Sequence, residues 1–188
     1  MKNVFAFSLM VVGQSGLGKS TLVNSMFLND IYSEQYPGPS QRISKTTSIE
    51  SSTIMMCENS VNLMLTIVDT PGFGEALDNR NGWQSISDYI DKRHFDYLNS
   101  ELYLKRAKIV DHRIHCCLYF IQPTGHFLKT IDIEFMKNLH DKVNIIPVIA
   151  KSDTLTPEEL EQFKQNVSRQ TRQFILNLFR LSNLTDST

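Results

Sequence analysis

The stretch "VVGQSGLGKST", residues 11–21, places three glycines within six residues and follows them with a lysine and two hydroxyls. It comes directly after "VFAFSLMVV" (residues 4–12), an uncharged apolar run of strand length. Such a run reads as a strand buried on both faces, as in a parallel sheet. The spacing Gly13, Gly18, Lys19, Ser20 then matches GxxxxGK[ST], with a strand before it and the helical pattern "KSTLVNSMFLN" after it. Glycines let the backbone of Gly13, Gln14, Ser15, Gly16, Leu17 and Gly18 turn so that successive N–H groups face one anion. The helix that follows adds its positive end. Lys19 brings a mobile charge to the outer phosphates of a nucleoside triphosphate, and Ser20, followed by Thr21, offers a hydroxyl to Mg²⁺. A glycine turn that only brings a helix close to a strand would explain Gly16 and Gly18, but not the lysine and the two hydroxyls.

At 188 residues, with 41% hydrophobic and 21% charged residues, the chain has the size and composition of one ordinary globular domain. A formal charge of −1 leaves no basic surplus to neutralise a phosphate backbone, so nucleic acid is not expected as a partner. Cys57, Cys116 and Cys117 do not have CxxC spacing and read as reduced core residues of a cytoplasmic protein. The apolar run at residues 4–12 is short enough to mimic a signal sequence, but the glycine loop stands where a cleavage site would have to be. No stretch reaches the length of a membrane span.

Further strands are expected at "HCCLYFI" (residues 115–121) and "VNIIPVIAK" (residues 143–151), the latter despite Pro147. "STIMMCENSVNLMLTIV" reads as a hairpin turning at "CENS" in an otherwise parallel sheet. Helical spacing marks "WQSISDYIDKRHFDYL", through Trp83, Ile86, Ile90 and Tyr97, and "TIDIEFMKNLH". Thr156, Pro157 and Glu159 form a capping box ahead of Leu160, Phe163 and Val167. "SEQYPGPSQRISKTTS" reads as loop. Strands alternating with helices imply an α/β sheet with helices on both faces and ligands at the carboxyl ends of its strands.

Two more motifs end strands. In "LTIVDTPGFG", Asp69 can hold Mg²⁺ through water and Gly72 can offer its N–H to a γ-phosphate. In "IAKSD", Asp153 can accept hydrogen bonds from guanine N1–H and its 2-amino group, which adenine lacks, while the Lys151 stem lies along the base.

With these motifs in order, the chain resembles the septins, a family of filament-forming GTP-binding proteins. "FSLMVVGQSGLGKSTLVNSMF", "LTIVDTPGFGEALDN", "HCCLYFIQPTGH" and "LKTIDIEFMKNLHDKVNIIPVIAKSDTLTPEE" carry the likeness, and "YPGPSQRI" looks most like the group typified by septin seven. The resemblance implies a three-layer Ras-like P-loop GTPase fold, mostly parallel with one antiparallel hairpin strand, that binds GTP or GDP with Mg²⁺ at a contact between septin subunits. Lys151, Ser152, Asp153 and Thr154 would form its base-recognition segment. Thr46 matches the family's switch I threonine, a Mg²⁺ ligand that helps position water, although neighbouring Thr47 offers the same hydroxyl. Its presence, without a glutamine after "DTPG", implies slow hydrolysis with Lys19 and Thr46 as the catalytic pair.

His126 matches a histidine that reaches the neighbouring subunit's nucleotide, and it also reads as an ordinary loop histidine. Glu159 matches a glutamate near the same contact, and the capping box accounts for it without a partner. Glu75, Phe127 and Ser152 stand where the family usually has aspartate, glycine and alanine. The resemblance spans residues 2–167, expected to form an incomplete G domain. Residues 168–188 diverge and are expected to extend the last helix and then lose order. The family's later strand, basic segment and coiled coil have no counterpart in this sequence, so membrane contact should be weak or absent. The resulting expectation is a cytoplasmic, cytoskeletal septin that assembles as a homo- or hetero-oligomer, or alternatively a shortened form with impaired nucleotide binding and no filament role.

Overall fold

The computed structural model describes residues 4–27, 49–58, 61–70, 72, 83–103 and 109–185. Its strands are β1 (Val4–Gly13), β2 (Glu50–Glu58), β3 (Val61–Asp69), β4 (Cys116–Ile121) and β5 (Asn144–Ile149). The helices are α1 (Lys19–Phe27), α2 (Gln84–Tyr103), α3 (Thr130–Leu139) and α4 (Pro157–Thr185). The strands form one sheet in the order β2-β3-β1-β4-β5. All pairs are parallel except β2 with β3, which form the expected antiparallel hairpin. The loop-like segment at residues 33–48, which contains Thr46 and Thr47, lies outside the described residues, as does Glu75.

Apolar side chains on both faces of β1 explain its central place. Met10 and Val12 enter one cluster with Ile86 and Ile90 of α2, Phe135 and Leu139 of α3, and Phe163 and Val167 of α4. Leu9 and Val11 enter the other cluster with Leu17, Val23 of α1, Leu65 and Phe120. Each large side chain buried in this way contributes about 1.5–3 kcal/mol relative to exposure. Three helices therefore pack on one face of the sheet, while among the described residues only α1 packs on the other.

Pro147 sits in β5 at no cost to the sheet. The Ala150 N–H donates to the Ile121 carbonyl at 2.9 Å, and alternate residues of a parallel strand donate to opposite sides. Residue 147 therefore faces away from β4, toward the outer side of an edge strand, where a missing N–H removes a site for unwanted pairing.

One expectation about the core needs correction. Cys57 is exposed on the outer strand β2, while Cys116 is half-buried and Cys117 is buried; all three are free thiols. Burial pushes the Cys117 thiol well above its ordinary range. Tyr97, on the helical spacing expected for α2, is partly buried beneath the Arg113 guanidinium, which lies 4.0 Å from its ring centroid.

That guanidinium also holds Asp111, with Arg113 Nη2 2.7 Å from Oδ2 and Nε 3.0 Å from Oδ1. Hydrogen bonding by Arg113 lowers the Asp111 pKa to about 2. A depressed carboxylate stabilises the fold above its ordinary pKa and loses that contribution as pH falls through its folded value. Asp111→Asn should therefore cost about 0.5–1 kcal/mol near neutrality, the range for a largely solvated pair. In urea titrations the gap from wild type should narrow as pH drops from about 4 toward 2.

Candidate functional site

Parallel pairing brings the ends of four strands to one edge. Val11 lies beside Asp69, Gly13 beside Phe120, and Ile121 beside Ile149. The loops leaving these positions therefore share one face, the carboxyl end of the sheet.

The first loop is closed around its own lysine. Lys19 is 5% exposed, and its ammonium donates to the Gln14 carbonyl at 2.7 Å and to the Gly13 carbonyl at 3.0 Å. Gly16 and Gly18 have φ of 76° and 81°, a left-handed backbone that favours residues without a Cβ. Leu17 points inward as part of the apolar cluster beneath the loop, which a sequence of phosphate-facing backbone did not foretell. The Leu22 N–H donates to the Gly18 carbonyl at 3.0 Å, which starts α1 directly at the loop's end. Ser20 is buried at the first turn of that helix, and Thr21 is exposed.

Asp69, 4% exposed, ends β3 beside Val11, and the next residue carries a contact that sequence reasoning missed. The buried Thr70 hydroxyl donates to the Val11 carbonyl at 3.1 Å, tying the start of "DTPG" to β1. Gly72 then meets the first loop. A Cβ built there would lie 2.8 Å from the Ser15 nitrogen and 3.2 Å from its Cβ. Only glycine lets the two segments approach this closely. The hydroxyl of Ser20 and the carboxylate of Asp69 are hard oxygen donors, the chemistry that suits Mg²⁺.

The remaining candidates flank this pair of segments. Lys151 has a left-handed backbone at φ 45° and ψ 45°, uncommon for a residue with a Cβ and a strain typical of functional turns. It reverses the chain after β5 into a 3₁₀ turn, Ser152–Thr154, which Thr154 closes by donating its N–H to the Lys151 carbonyl at 3.0 Å and its hydroxyl at 2.8 Å. The turn leaves Asp153 exposed. The loop carrying His126 packs on the same turn, since a Cβ on Gly125 would lie 3.6 Å from Leu155 Cδ2.

Long-range contacts hold that loop in place. Asn166 of α4 donates to the His126 carbonyl at 2.8 Å, and Thr124 donates its hydroxyl to the Phe127 carbonyl at 2.9 Å. Behind it, the Tyr119 hydroxyl donates to Asp132 Oδ1 at 2.6 Å, and the Lys129 N–H donates to Oδ2 at 3.1 Å. Burial raises the pKa of both Tyr119 and Asp132. Glu159 forms the expected capping box: its carboxylate accepts the Thr156 N–H at 3.0 Å, and its own N–H donates to the Thr156 hydroxyl at 3.3 Å. The Thr156 N–H and hydroxyl both donate to the Glu159 carboxylate, at 3.0 Å each, and lower its pKa.

The Septin family model matches residues 3–188. The chain belongs to the septin family. It is 54% identical over 180 residues to Protein peanut of Drosophila melanogaster, which covers 95% of this chain and 33% of that protein. Septin-2 of Rattus norvegicus is 49% identical over 182 residues, covering 96% of the chain and 50% of the relative. This septin chain thus spans a third to a half of the length of these two relatives.

The crystal structure of the septin GTPase domain from Chlamydomonas reinhardtii superimposes with a TM-score of 0.63 at 31% identity, covering 86% of this chain and 58% of that one. Cdc11 from Saccharomyces cerevisiae gives 0.62 at 36% identity, with 90% and 63% covered. The mostly parallel sheet with one antiparallel pair is therefore that of a septin GTPase domain. Among the described residues, no helix is long and apolar enough to cross a membrane.

Gly72→Ala should force the septin's "DTPG" segment away from its first loop. Hydrogen exchange at the Ser15 amide is expected to quicken at least tenfold, while exchange in the middle of β1 stays as in wild type.

Proposed function

We propose that this chain binds GTP and GDP with Mg²⁺ through the loop at residues 13–21 and hydrolyses GTP slowly. We further propose that it assembles with other septin subunits, as a homo- or hetero-oligomer across the nucleotide face, within the cytoplasmic cytoskeleton. The observation that supports this reading is the close approach of Gly72 to Ser15, which sets the "DTPG" segment directly against the first loop. Buried Ser20 and Asp69 lie on the same edge of the sheet.

Lys19 is held by two loop carbonyls and is within a side chain's reach of phosphates cradled by the same loop. Hydrolysis breaks the bond between the γ-phosphorus and its bridging oxygen as water adds to phosphorus, and the lysine ammonium offsets negative charge that spreads over the phosphoryl oxygens. Ser20 and Asp69 would hold Mg²⁺, with Thr46 or Thr47 completing the set; when bound, that ion neutralises phosphate charge. Asp153, at the end of β5, selects guanine by accepting from N1–H and the 2-amino group, and Lys151 supplies the methylene stem beside the base. His126, on the loop held by Asn166, and Glu159, in the first turn of α4, would face a neighbouring subunit.

A second reading, a septin with impaired nucleotide binding and no filament role, is favoured by the exposure of both Lys151 and Asp153. Equilibrium binding with fluorescent GDP decides between them. In the first reading, wild type binds, unlabelled GTP displaces the probe at least 100-fold better than ATP, and Lys19→Ala weakens binding by 100-fold or more. Equal competition by ATP, or an unaffected Lys19→Ala variant, would refute it.

A further inference from the structure

One buried pair of ionisable side chains has no part in the nucleotide chemistry proposed above. Asp132, in the first turn of α3, is 7% exposed, and Tyr119 of β4 is 1% exposed. An acidic side chain at a helix start ordinarily caps its own backbone in solvent. Burying a carboxylate is unfavourable unless its oxygens are hydrogen-bonded, and an apolar residue would fill the same space without that cost. What this carboxylate holds is the loop between β4 and α3.

Asp132 Oδ1 accepts from the Tyr119 hydroxyl at 2.6 Å, and Oδ2 accepts from the Lys129 N–H at 3.1 Å. Tyr119 lies two residues before the end of β4, and Lys129 immediately precedes α3. A single carboxylate therefore ties the strand that enters the loop at residues 122–129 to the backbone that leaves it. The phenol is itself a fixed anchor, since its ring stacks on Phe135 with centroids 4.4 Å apart. The Lys129 ammonium donates to Gln122 Oε1 across the base of the same loop.

Within the loop, Gly125 and Leu128 are buried while His126 and Phe127 between them are exposed. The bonds from Asn166 to the His126 carbonyl and from Thr124 to the Phe127 carbonyl lie at the surface, where water can take the place of either partner. No water replaces a partner lost from the buried Tyr119 and Asp132 pair, so that pair is the stronger hold.

We propose that Asp132 is a positioning residue: by latching Lys129 to Tyr119 it fixes the loop so that His126 is presented in one conformation to the neighbouring subunit, a role that rests on His126 facing that subunit as proposed above. Asp132 touches neither nucleotide nor partner in this scheme and acts only through the loop.

Hydrogen exchange at the amides of residues 124–128 reads the latch without nucleotide or partner. Tyr119→Phe keeps the ring but removes one bond, and should quicken exchange there about tenfold, with Asp132→Ala faster still and the middle of β1 unchanged. Asp132→Asn should stay within about threefold of wild type, because its amide oxygen can accept from the Lys129 N–H while its NH2 donates to the phenol oxygen. Release of fluorescent GDP from concentrated protein then reads the purpose of the latch. His126→Ala and Asp132→Ala should each release it about threefold faster or more, and the double variant no faster than either, since two residues acting through one loop are not additive. Loop exchange unchanged in both Tyr119→Phe and Asp132→Ala overturns the latch and leaves the reading of His126 standing. A double variant whose effects simply add overturns the positioning role, because Asp132 would then act independently of His126. Release unaffected by His126→Ala refutes the reading of His126 and, with it, the role given to Asp132.

Discussion

Everything at the candidate site depends on the parallel pairing of β1 with β3 on one side and β4 on the other. Parallel strands end together, so the register that sets Val11 beside Asp69 and Gly13 beside Phe120 also sets the glycine loop and the "DTPG" segment side by side. The pairing is specified because β1 is apolar on both faces, and a one-residue slip would exchange its two buried clusters. At Gly13 there is no room for error: a Cβ would lie 2.7 Å from that of Phe120. The loop therefore leaves the sheet at a point where main chain packs directly on β4.

A second level of order comes from polar groups buried near that edge. Thr70 fastens one segment to β1, and the Tyr119–Asp132 hydrogen bond joins β4 to the start of α3. Inside a protein such bonds are costly to break because the orphaned partner has no water to replace it. They act as fixed points between which the surface loops are strung, and the His126 loop, held also by Asn166 from α4, is the clearest case. The candidate site of this septin chain is thus built by contacts far apart along the chain.

The two ends of the sheet differ in character. The carboxyl end carries the buried Lys19, Ser20, Asp69 and Thr70, while at the amino end on the α1 side Phe5, Phe7 and Ile146 are exposed. A mostly parallel sheet is stable when both faces are covered, and here one face is covered only in part by described residues. The same pattern that makes β1 a good central strand leaves Phe5 and Phe7 exposed where α1 runs out.

Much of this was legible in the residues. The glycine loop, the hairpin, the alternation of strands and helices, and the cap at Thr156 are local signals, because spacing and turn chemistry act over a few residues. Other features were not, since they depend on neighbours distant in sequence. Helical spacing marked Tyr97 as part of α2, but not the Arg113 guanidinium that stacks on its ring. Thiol chemistry suggested a buried Cys57, but β2 is an outer strand. Pro147 looked like a liability until the pairing of β5 showed its nitrogen facing away from β4. By itself the sequence determined where the glycine-loop motif lies and which family the chain belongs to, because those are properties of short spacings. Tertiary structure alone decided that Gly72 meets Ser15 and that, among the described residues, α1 alone packs on its face of the sheet, because such contacts exist only once strands remote in the chain lie side by side.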